Sequence, residues 1–186
     1  MAERIAEVVV LVEDLNHKNF VHRYLKRLGR KIRNIRFAKA PPGRGAGEQW
    51  VRQHYSEEVR QYRQRSQHRR GALVVVIDAD TNFVLDRRNE LEEELTQAGL
   101  AQRSLEEAIA LLIPKRHIET WILCLCGQAV DEEFDYKRSH DPQHDVTGKF
   151  KAAAETFFDW SRENVSPPGH CADSLRRGLR EIRRIP

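Results

Sequence analysis

The chain has 186 residues, of which 40% are apolar and 32% are charged, and its formal net charge is +4. This length predicts one domain with at most a small addition, and the apolar fraction is enough for a hydrophobic core. No apolar run approaches the roughly 20 residues of a membrane span, and the stretch MAERIAEVVVLVE lacks the pattern of a secretion signal. Arginine dominates the basic residues, which fits a nucleic-acid partner, although a solvated surface without a partner fits equally well.

Hydrophobic patterning predicts alternating strands and helices. In chain order these are a strand at 7–13, a helix at 15–29, a strand at 32–40, a helix at 48–65, a strand at 72–78, a helix at 85–99, a strand at 106–114 and helices at 118–126, 149–164 and 173–185. The apolar stripe of the helix at 85–99 is expected at Leu85, Leu91, Leu95 and Ala98. Residues 127–148 are polar and are predicted to be irregular.

The order of these segments predicts the fold class. Alternating strands and helices are typical of an α/β fold with a mainly parallel sheet. The runs at 8–12 and 73–77 lack polar alternation, as expected for strands that helices cover on both faces. We therefore expect an α/β domain at 1–126, with a polar loop and a helical C-terminal extension at 127–186 packed on it.

Acidic side chains follow two of the predicted strands. Glu13 ends the first strand, and Asp78 and Asp80 close the third. Open α/β sheets bind ligands outside the carboxyl ends of their strands, and residues two apart in an extended chain point to the same side. Three converging carboxylates repel one another unless a cation joins them, and oxygen ligands favour Mg²⁺ or Mn²⁺. Alone, Asp78 and Asp80 fit an ordinary turn better, so the metal prediction depends on Glu13.

Three segments together resemble the TOPRIM domain of topoisomerases, primases and small nucleases. They are VVVLVED at 8–14, VVVIDAD at 74–80 and PKRHIETWIL at 114–123, and the resemblance covers roughly residues 5–125. The last segment is similar to small stand-alone TOPRIM proteins related to the OLD nucleases. These proteins are often encoded beside ABC-type or AAA ATPases in bacterial defence loci.

The resemblance implies a TOPRIM-like (Rossmann-like) fold and a role for each acid. Glu13 would be a general acid/base or a metal ligand, Asp78 and Asp80 would be metal ligands, and Glu119 would be a further acid at the site. The chain departs from the E-G-x-x-E pattern of many relatives, because Asp14 and His17 stand at the glycine and at the second acid. Asp14 is a candidate substitute ligand, and whether one metal ion or two would bind is left open.

Glu119 also has an interpretation from its own surroundings. The inward stripe of the predicted helix consists of Ile118, Trp121, Ile122 and Leu125. Glu119 lies off this stripe, at the start of the helix and just past a strand end. The alternative to a functional acid is a carboxylate that interacts favourably with the helix dipole.

Basic residues are the candidates for contact with phosphate. Lys115 and Arg116 follow the fourth strand and are expected to stabilise charge on a phosphate, Lys115 as a catalytic residue and Arg116 as a nucleic-acid contact. Arg44, in the loop PPGRGAG, and Arg69 and Arg70, in the cluster RSQHRR, are further candidates for nucleic-acid binding. A flexible loop and a solvated or partner-docking surface fit these segments at least as well.

The cysteine pattern favours a reducing compartment. Cys124, Cys126 and Cys171 are odd in number and follow no disulfide framework, so we expect a cytoplasmic protein. A zinc site with His170 is a weaker alternative, because structural zinc usually uses C-x2–4-C pairs. Cys124 and Cys126 are better interpreted as small core residues on a helix.

Three functions are weighed on these residues. The first is a Mg²⁺-dependent TOPRIM nuclease that hydrolyses DNA or RNA, acting as the effector subunit beside a separate ABC/SMC/AAA-type ATPase in antiphage defence. The second is a non-catalytic TOPRIM-like module that binds such an ATPase and is regulated by it. A phosphatase of the haloacid-dehalogenase type is disfavoured, because Asn82 occupies the position where its D-x-D-x-[TV] motif needs Thr or Val.

Overall fold

The structure is a computed structural model that describes residues 7–40 and 47–186. The described chain forms a four-stranded parallel sheet flanked by six α-helices, which confirms the predicted α/β fold with a mainly parallel, Rossmann-like sheet. The strands are β1 Glu7–Val12, β2 Ile35–Lys39, β3 Gly71–Val76 and β4 Ile109–Leu112. The helices are α1 Leu15–Arg27, α2 Gly47–Ser66, α3 Val84–Gln97, α4 Ile118–Leu125, α5 Phe150–Ser161 and α6 Asp173–Ile182.

The strand order is β2-β1-β3-β4, and every neighbouring pair is parallel. The chain moves outward from β1 to β2 and then crosses back to β3 on the other side of β1. The topological switch point, where open α/β sheets bind their ligands, therefore lies between β1 and β3. Val12 and Val76 are register partners, so both strands end at the same level of the sheet.

Both faces of the sheet are covered, which explains why its strands read as continuous apolar runs. Alternate residues of β1 point to opposite faces. Val8, Val10 and Val12 pack with α1, α4, α5 and α6, whereas Val9 and Leu11 pack with α2 and α3. The helices that follow residue 127 therefore share one core with the sheet.

The last helix also protects an edge of the sheet. Strand β4 has no strand beyond it among the described residues, and α6 lies against it. The backbone N–H of Leu111 donates to Glu181 Oε2 at 3.1 Å, so an edge donor is satisfied by a side chain instead of a further strand.

Three sequence predictions of local structure are corrected. Residues Ile32–Asn34 form a 3-10 turn before β2 instead of its first residues. On α3, Leu85 is 55% exposed, and Arg87 takes the buried position four residues before Leu91. The segment 127–148 contains two short 3-10 helices and is not wholly irregular.

In the described ranges we find no helix with the length and apolar character to cross a bilayer.

Candidate metal centre

The ends of β1 and β3 bring two carboxyl groups together at the switch point. Glu13 directly follows β1, and its Oε1 accepts a 2.7 Å hydrogen bond from the backbone N–H of Asp78. Asp78 is only 2% exposed. Helix α2 begins against the same place, because a Cβ on Gly47 would lie 3.1 Å from Glu13 Cβ. The two acids are thus held at a crowded and largely dehydrated point.

The first turn of α1 adds a histidine to these acids. Asp14 caps the helix by accepting from the backbone N–H groups of Asn16 and His17 at 2.9 and 3.1 Å. The cap directs His17 inward, where it is fully buried. Its Nε2 lies 2.9 Å from Asp78 Oδ1, and its Nδ1 lies 3.2 Å from Asp14 Oδ1.

Glu13, His17 and Asp78 form a group that could hold a metal ion. Each offers one ligand atom, and these atoms all lie within 4.8 Å of one another. Two carboxylates and an imidazole are a mixed oxygen and nitrogen donor set. Carboxylates suit Mg²⁺ and Mn²⁺, and an imidazole shifts the preference away from Mg²⁺. Of the two predicted ions, the donor set therefore suits Mn²⁺ better.

The protonation of this group follows from burial and from its neighbours. Burial raises the pKa of Glu13 to about 8, and the charge of Asp78 adds to this shift. Burial opposes a charge on His17, but Asp78 and Asp14 outweigh it and raise the His17 pKa well above its usual value. The same pairing lowers the pKa of Asp78 against the effect of its burial. At neutral pH Glu13 is therefore mainly protonated and neutral. His17 is protonated and positively charged, and it offsets the negative charge of Asp78.

Asp80 is not a member of the group of Glu13, His17 and Asp78, although it neighbours Asp78. It has a φ of 54°, the one positive φ of a non-glycine residue in the described ranges. The chain turns here and is not extended, so the same-side spacing expected from Asp78 does not apply. Asp80 Oδ1 lies 3.5 Å from His117 Nδ1, which is also 3.5 Å from Asp78 Oδ2.

The segment after β4 is aligned with the segment after β3 by continued pairing. The N–H of Ala79 donates to the carbonyl of Pro114 at 2.8 Å, beyond the last paired residues of the strands. This contact places His117, at the start of α4, beside Asp78 and Asp80. Burial opposes a charge on His117, but its close approach to Asp78 and the charges of Asp135 and Asp80 raise its pKa.

Glu119 is buried, contrary to the predicted stripe on α4. All eight residues of α4 are buried, and Glu119 is 3% exposed. The helix is enclosed because α5 and α6 cover the side that would otherwise face solvent. Glu119 Oε1 accepts from Asn16 Nδ2 at 2.8 Å, while its Oε2 is buried without a hydrogen-bond partner. Glu119 therefore reaches the first turn of α1, next to the metal-binding group.

Of the two basic residues after β4, one reaches the site. Arg116 lines a cavity of about 620 Å³ together with Asp80 and His117. Lys115 pairs with Glu133 at 3.1 Å and lines a different cavity, with Phe83 and Glu132. The structure thus keeps Arg116 near the acids and does not bring Lys115 to them.

The other predicted nucleic-acid contacts lie elsewhere. Arg69 and Arg70 precede β3 and line a cavity of about 660 Å³ at the amino-terminal ends of the strands. We call this end of the sheet the amino edge and the opposite end, where Glu13 and Asp78 lie, the carboxyl edge. With about 3.3 Å per strand residue, the amino edge is roughly 20 Å from Asp78. Arg44 lies outside the described residues. Nucleic-acid binding by these three arginines stays a prediction.

Two site residues from the polar segment 127–148 were missed. Lys137 Nζ donates to Asp14 Oδ2 at 3.0 Å, and Asp135 Oδ1 lies 3.2 Å from His117 Nε2. Both also line the 620 Å³ cavity. No periodicity marks them, because they belong to short 3-10 structure that crosses the site from a distant part of the chain.

Arg87 was missed as well, although the sequence carried a signal for it. Its Nε donates to the carbonyl of Asp78 at 3.1 Å, and its guanidinium also binds Glu48 and Glu90. The residue is 3% exposed. Arg87 falls four residues before Leu91 on the buried stripe, which is the spacing that could have revealed it.

The alternative zinc site has no support in this geometry. The group of Glu13, His17 and Asp78 is the one that meets metal-binding criteria in the described ranges. Cys124, Cys126 and Cys171 are free thiols, two of them buried.

Comparison with models of protein families, with curated proteins and with solved structures finds no match to this chain. The TOPRIM resemblance therefore stays a prediction.

Proposed function

We propose that the chain is a metal-dependent phosphodiesterase that hydrolyses nucleic acid at the carboxyl edge of its sheet. The observation that carries this proposal is the convergence of Glu13, His17 and Asp78 within 4.8 Å at the switch point. Their donor types fit Mn²⁺ or Mg²⁺. When bound, such an ion polarises a phosphate oxygen and lowers the pKa of bound water.

The residues around this group have the charges that a phosphodiester needs. Arg116, Lys137 and Arg138 line the cavity beside Asp80 and His117. These cations would orient a phosphate and offset the charge that develops during its hydrolysis. Burial raises the pKa of Glu13 to about 8 when no ion is bound, so Glu13 is suited either to exchange a proton or to bind a cation in place of that proton.

The finer assignment depends on the resemblance to TOPRIM proteins. We propose a TOPRIM-type nuclease that works in the cytoplasm beside a separate ABC/SMC/AAA-type ATPase in antiphage defence. Three free thiols fit a reducing compartment.

Nuclease assays with matched variants test the proposal. Wild-type protein with 5 mM Mn²⁺ or Mg²⁺ should cut plasmid DNA or tRNA, alone or with its ATPase. Asp78→Asn should lower the rate at least about 100-fold, since it removes a ligand and the His17 partner. Glu7→Gln, at the opposite end of β1, should cut at the wild-type rate. Equal rates for Asp78→Asn and wild type would exclude this site as the source of activity.

A second function is favoured by the ion pair inside the site. His17 and Asp78 already compensate each other at 2.9 Å, so the group is stable without a cation. Close to it, Phe83 and Leu85 are 70% and 55% exposed, as on a surface that docks a partner. A non-catalytic module that binds a partner ATPase would show stable co-purification with that ATPase and no Mn²⁺ binding.

A further inference from the structure

A basic groove lies between α1 and α5, outside the metal-binding group. It encloses about 410 Å³. We call it the α1–α5 groove and define its basic lining as Arg23, Lys26 and Arg27 of α1 and Lys151 of α5. All four side chains are exposed. Three of them share one face of α1, where neighbours three or four residues apart are about 5–6 Å from each other.

The cations of this groove lack acidic partners, unlike many other cations of the surface. Arg23, Lys26 and Lys151 form no ion pair with any of the described residues, and Arg27 lies over the ring of Phe158 at 4.5 Å. The single acid in the lining, Glu155, is not ion-paired with them. By contrast, Arg63 on α2 binds Glu107 at 2.6 Å. The groove therefore keeps its positive charge available to a partner.

The pKa of His22, which lines the groove, is lowered in part by these cations. Burial lowers the pKa of His22, and the charges of Lys26, Lys18 and Arg23 lower it further. Three cations acting on one imidazole indicate a strongly positive local potential. This potential would attract a polyanion and not a neutral ligand.

The groove and the proposed active site share helix α1. The first turn of this helix carries His17 in the metal-binding group, and the cations follow on the same helix toward its C-terminus. At 1.5 Å per residue, Lys26 lies about 14 Å along the axis from His17.

The chemistry of the lining selects the kind of polyanion. Among the described residues that line the groove there is no Phe, Tyr or Trp on which an unpaired base could stack. Single-stranded nucleic acids are usually held by such aromatic platforms, whereas a duplex can be held by a basic surface through its phosphates alone. The lining therefore favours duplex over single strand.

We propose that the α1–α5 groove binds the phosphate backbone of duplex DNA and holds it for cleavage at the metal centre. This inference rests on the proposed function, whose substrate class it specifies. Recognition would be independent of base sequence, because the cations contact phosphates alone.

Fluorescence anisotropy with a labelled 20-base-pair DNA duplex tests the groove. The full chain is used in EDTA, so that binding is measured without cleavage. The triple variant Arg23→Gln/Lys26→Gln/Lys151→Gln should bind at least about tenfold more weakly, and the slope of log K against log salt should fall by about 2 to 3 units.

A control with the same change in net charge separates a local site from general attraction. Arg162→Gln/Arg177→Gln/Arg180→Gln removes three exposed arginines outside the groove and should bind within about twofold of wild type. Equal losses in both triple variants would overturn the proposal. It would also be overturned by wild type that binds no duplex, by tighter binding of the single strand, or by displacement of the duplex by polyglutamate at equal charge.

The two proposals fail in different measurements. If wild type binds duplex through the groove but neither binds Mn²⁺ nor cleaves, the proposed hydrolysis is wrong and the groove stands as a binding site. If wild type cleaves and the groove variant binds like wild type, the groove is wrong and the hydrolytic site stands.

Discussion

A glutamate lies at each end of strand β1, and the two glutamates differ in burial and in the charge of their neighbours. At the amino edge, Glu7 begins β1, is 39% exposed and lies 3.3 Å from Arg65. At the carboxyl edge, Glu13 follows β1, lies among acids and has its pKa raised to about 8 by burial. An exposed acid beside an arginine needs nothing further, whereas a buried acid beside Asp78 needs a proton or a cation. The carboxyl edge thus differs from the amino edge in holding an acid whose charge a proton or a cation must offset.

The largest loss of stability is expected on replacing the buried Arg87 at the carboxyl edge, and a much smaller loss on replacing the partly exposed Arg65 at the amino edge. Arg87 is buried at the carboxyl edge, and Arg87→Met would leave the Asp78 carbonyl without its side-chain donor and would leave Glu48 and Glu90 with Arg52 as their remaining cation. We expect a loss of about 3 kcal/mol or more in the free energy of unfolding, measured by urea denaturation. Arg65→Met, at the exposed amino edge, should cost less than about 1 kcal/mol. Similar losses for both variants would contradict the contrast between the edges.

The variant Glu13→Gln tests the contrast between the largely buried Glu13 and the partly exposed Glu7 through the pH dependence of stability. The folded pKa of Glu13 is about 8, above the ordinary value of 4.5, so the folded chain keeps a proton that the unfolded chain loses. Wild-type stability should therefore fall as pH rises from 4.5 to 8, by at most about 1.4 kcal/mol per pH unit.

Glutamine cannot ionise, so the Glu13→Gln variant escapes this decline. In EDTA its Tm relative to wild type should rise between pH 5 and 8 and then level off. Glu7→Gln provides the matched control, and its difference from wild type should change little over the same range. A difference for Glu13→Gln that is constant with pH would show that Glu13 is not forced to hold a proton.

Lys137→Met should have the smallest effect at the carboxyl edge. The pair of Lys137 and Asp14 is partly exposed, with side chains at 46% and 33%. Such pairs contribute about 0–1 kcal/mol and are screened by salt, so the urea midpoint should shift slightly and the shift should vanish in 1 M NaCl. A loss above about 2 kcal/mol would mean that the segment 127–148 anchors the site more strongly than its exposure indicates.

Most of the fold was predictable because it depends on local patterns. The apolar runs in β1 and β3 and the helices between them determine a parallel sheet, and strand ends determine where Glu13 and Asp78 lie. The start of β2 was placed three residues too early, since Ile32 and Arg33 show the same apolar–basic alternation as Ile35 and Arg36.

The rest of the site could not be predicted because it depends on contacts distant in sequence. Asp135 and Lys137 reach the site from a segment without periodicity. The spacing of Arg87 to Leu91 could have revealed its burial, but its contacts with the Asp78 carbonyl and with Glu48 could not be read from the sequence. Asp80 was expected to converge with Asp78 as in an extended chain, but the chain turns at Asp80, and the two acids instead share His117 Nδ1 at 3.5 Å from each.

The most direct test of a cation site at the carboxyl edge is Mn²⁺ binding. Free Mn²⁺ can be measured by electron paramagnetic resonance during titration of the full chain at pH 7.5. We expect one Mn²⁺ per chain for wild type and for Glu7→Gln, and at least about tenfold weaker binding for Asp78→Asn. Absence of binding at millimolar Mn²⁺, or equal binding by wild type and Asp78→Asn, would contradict the account.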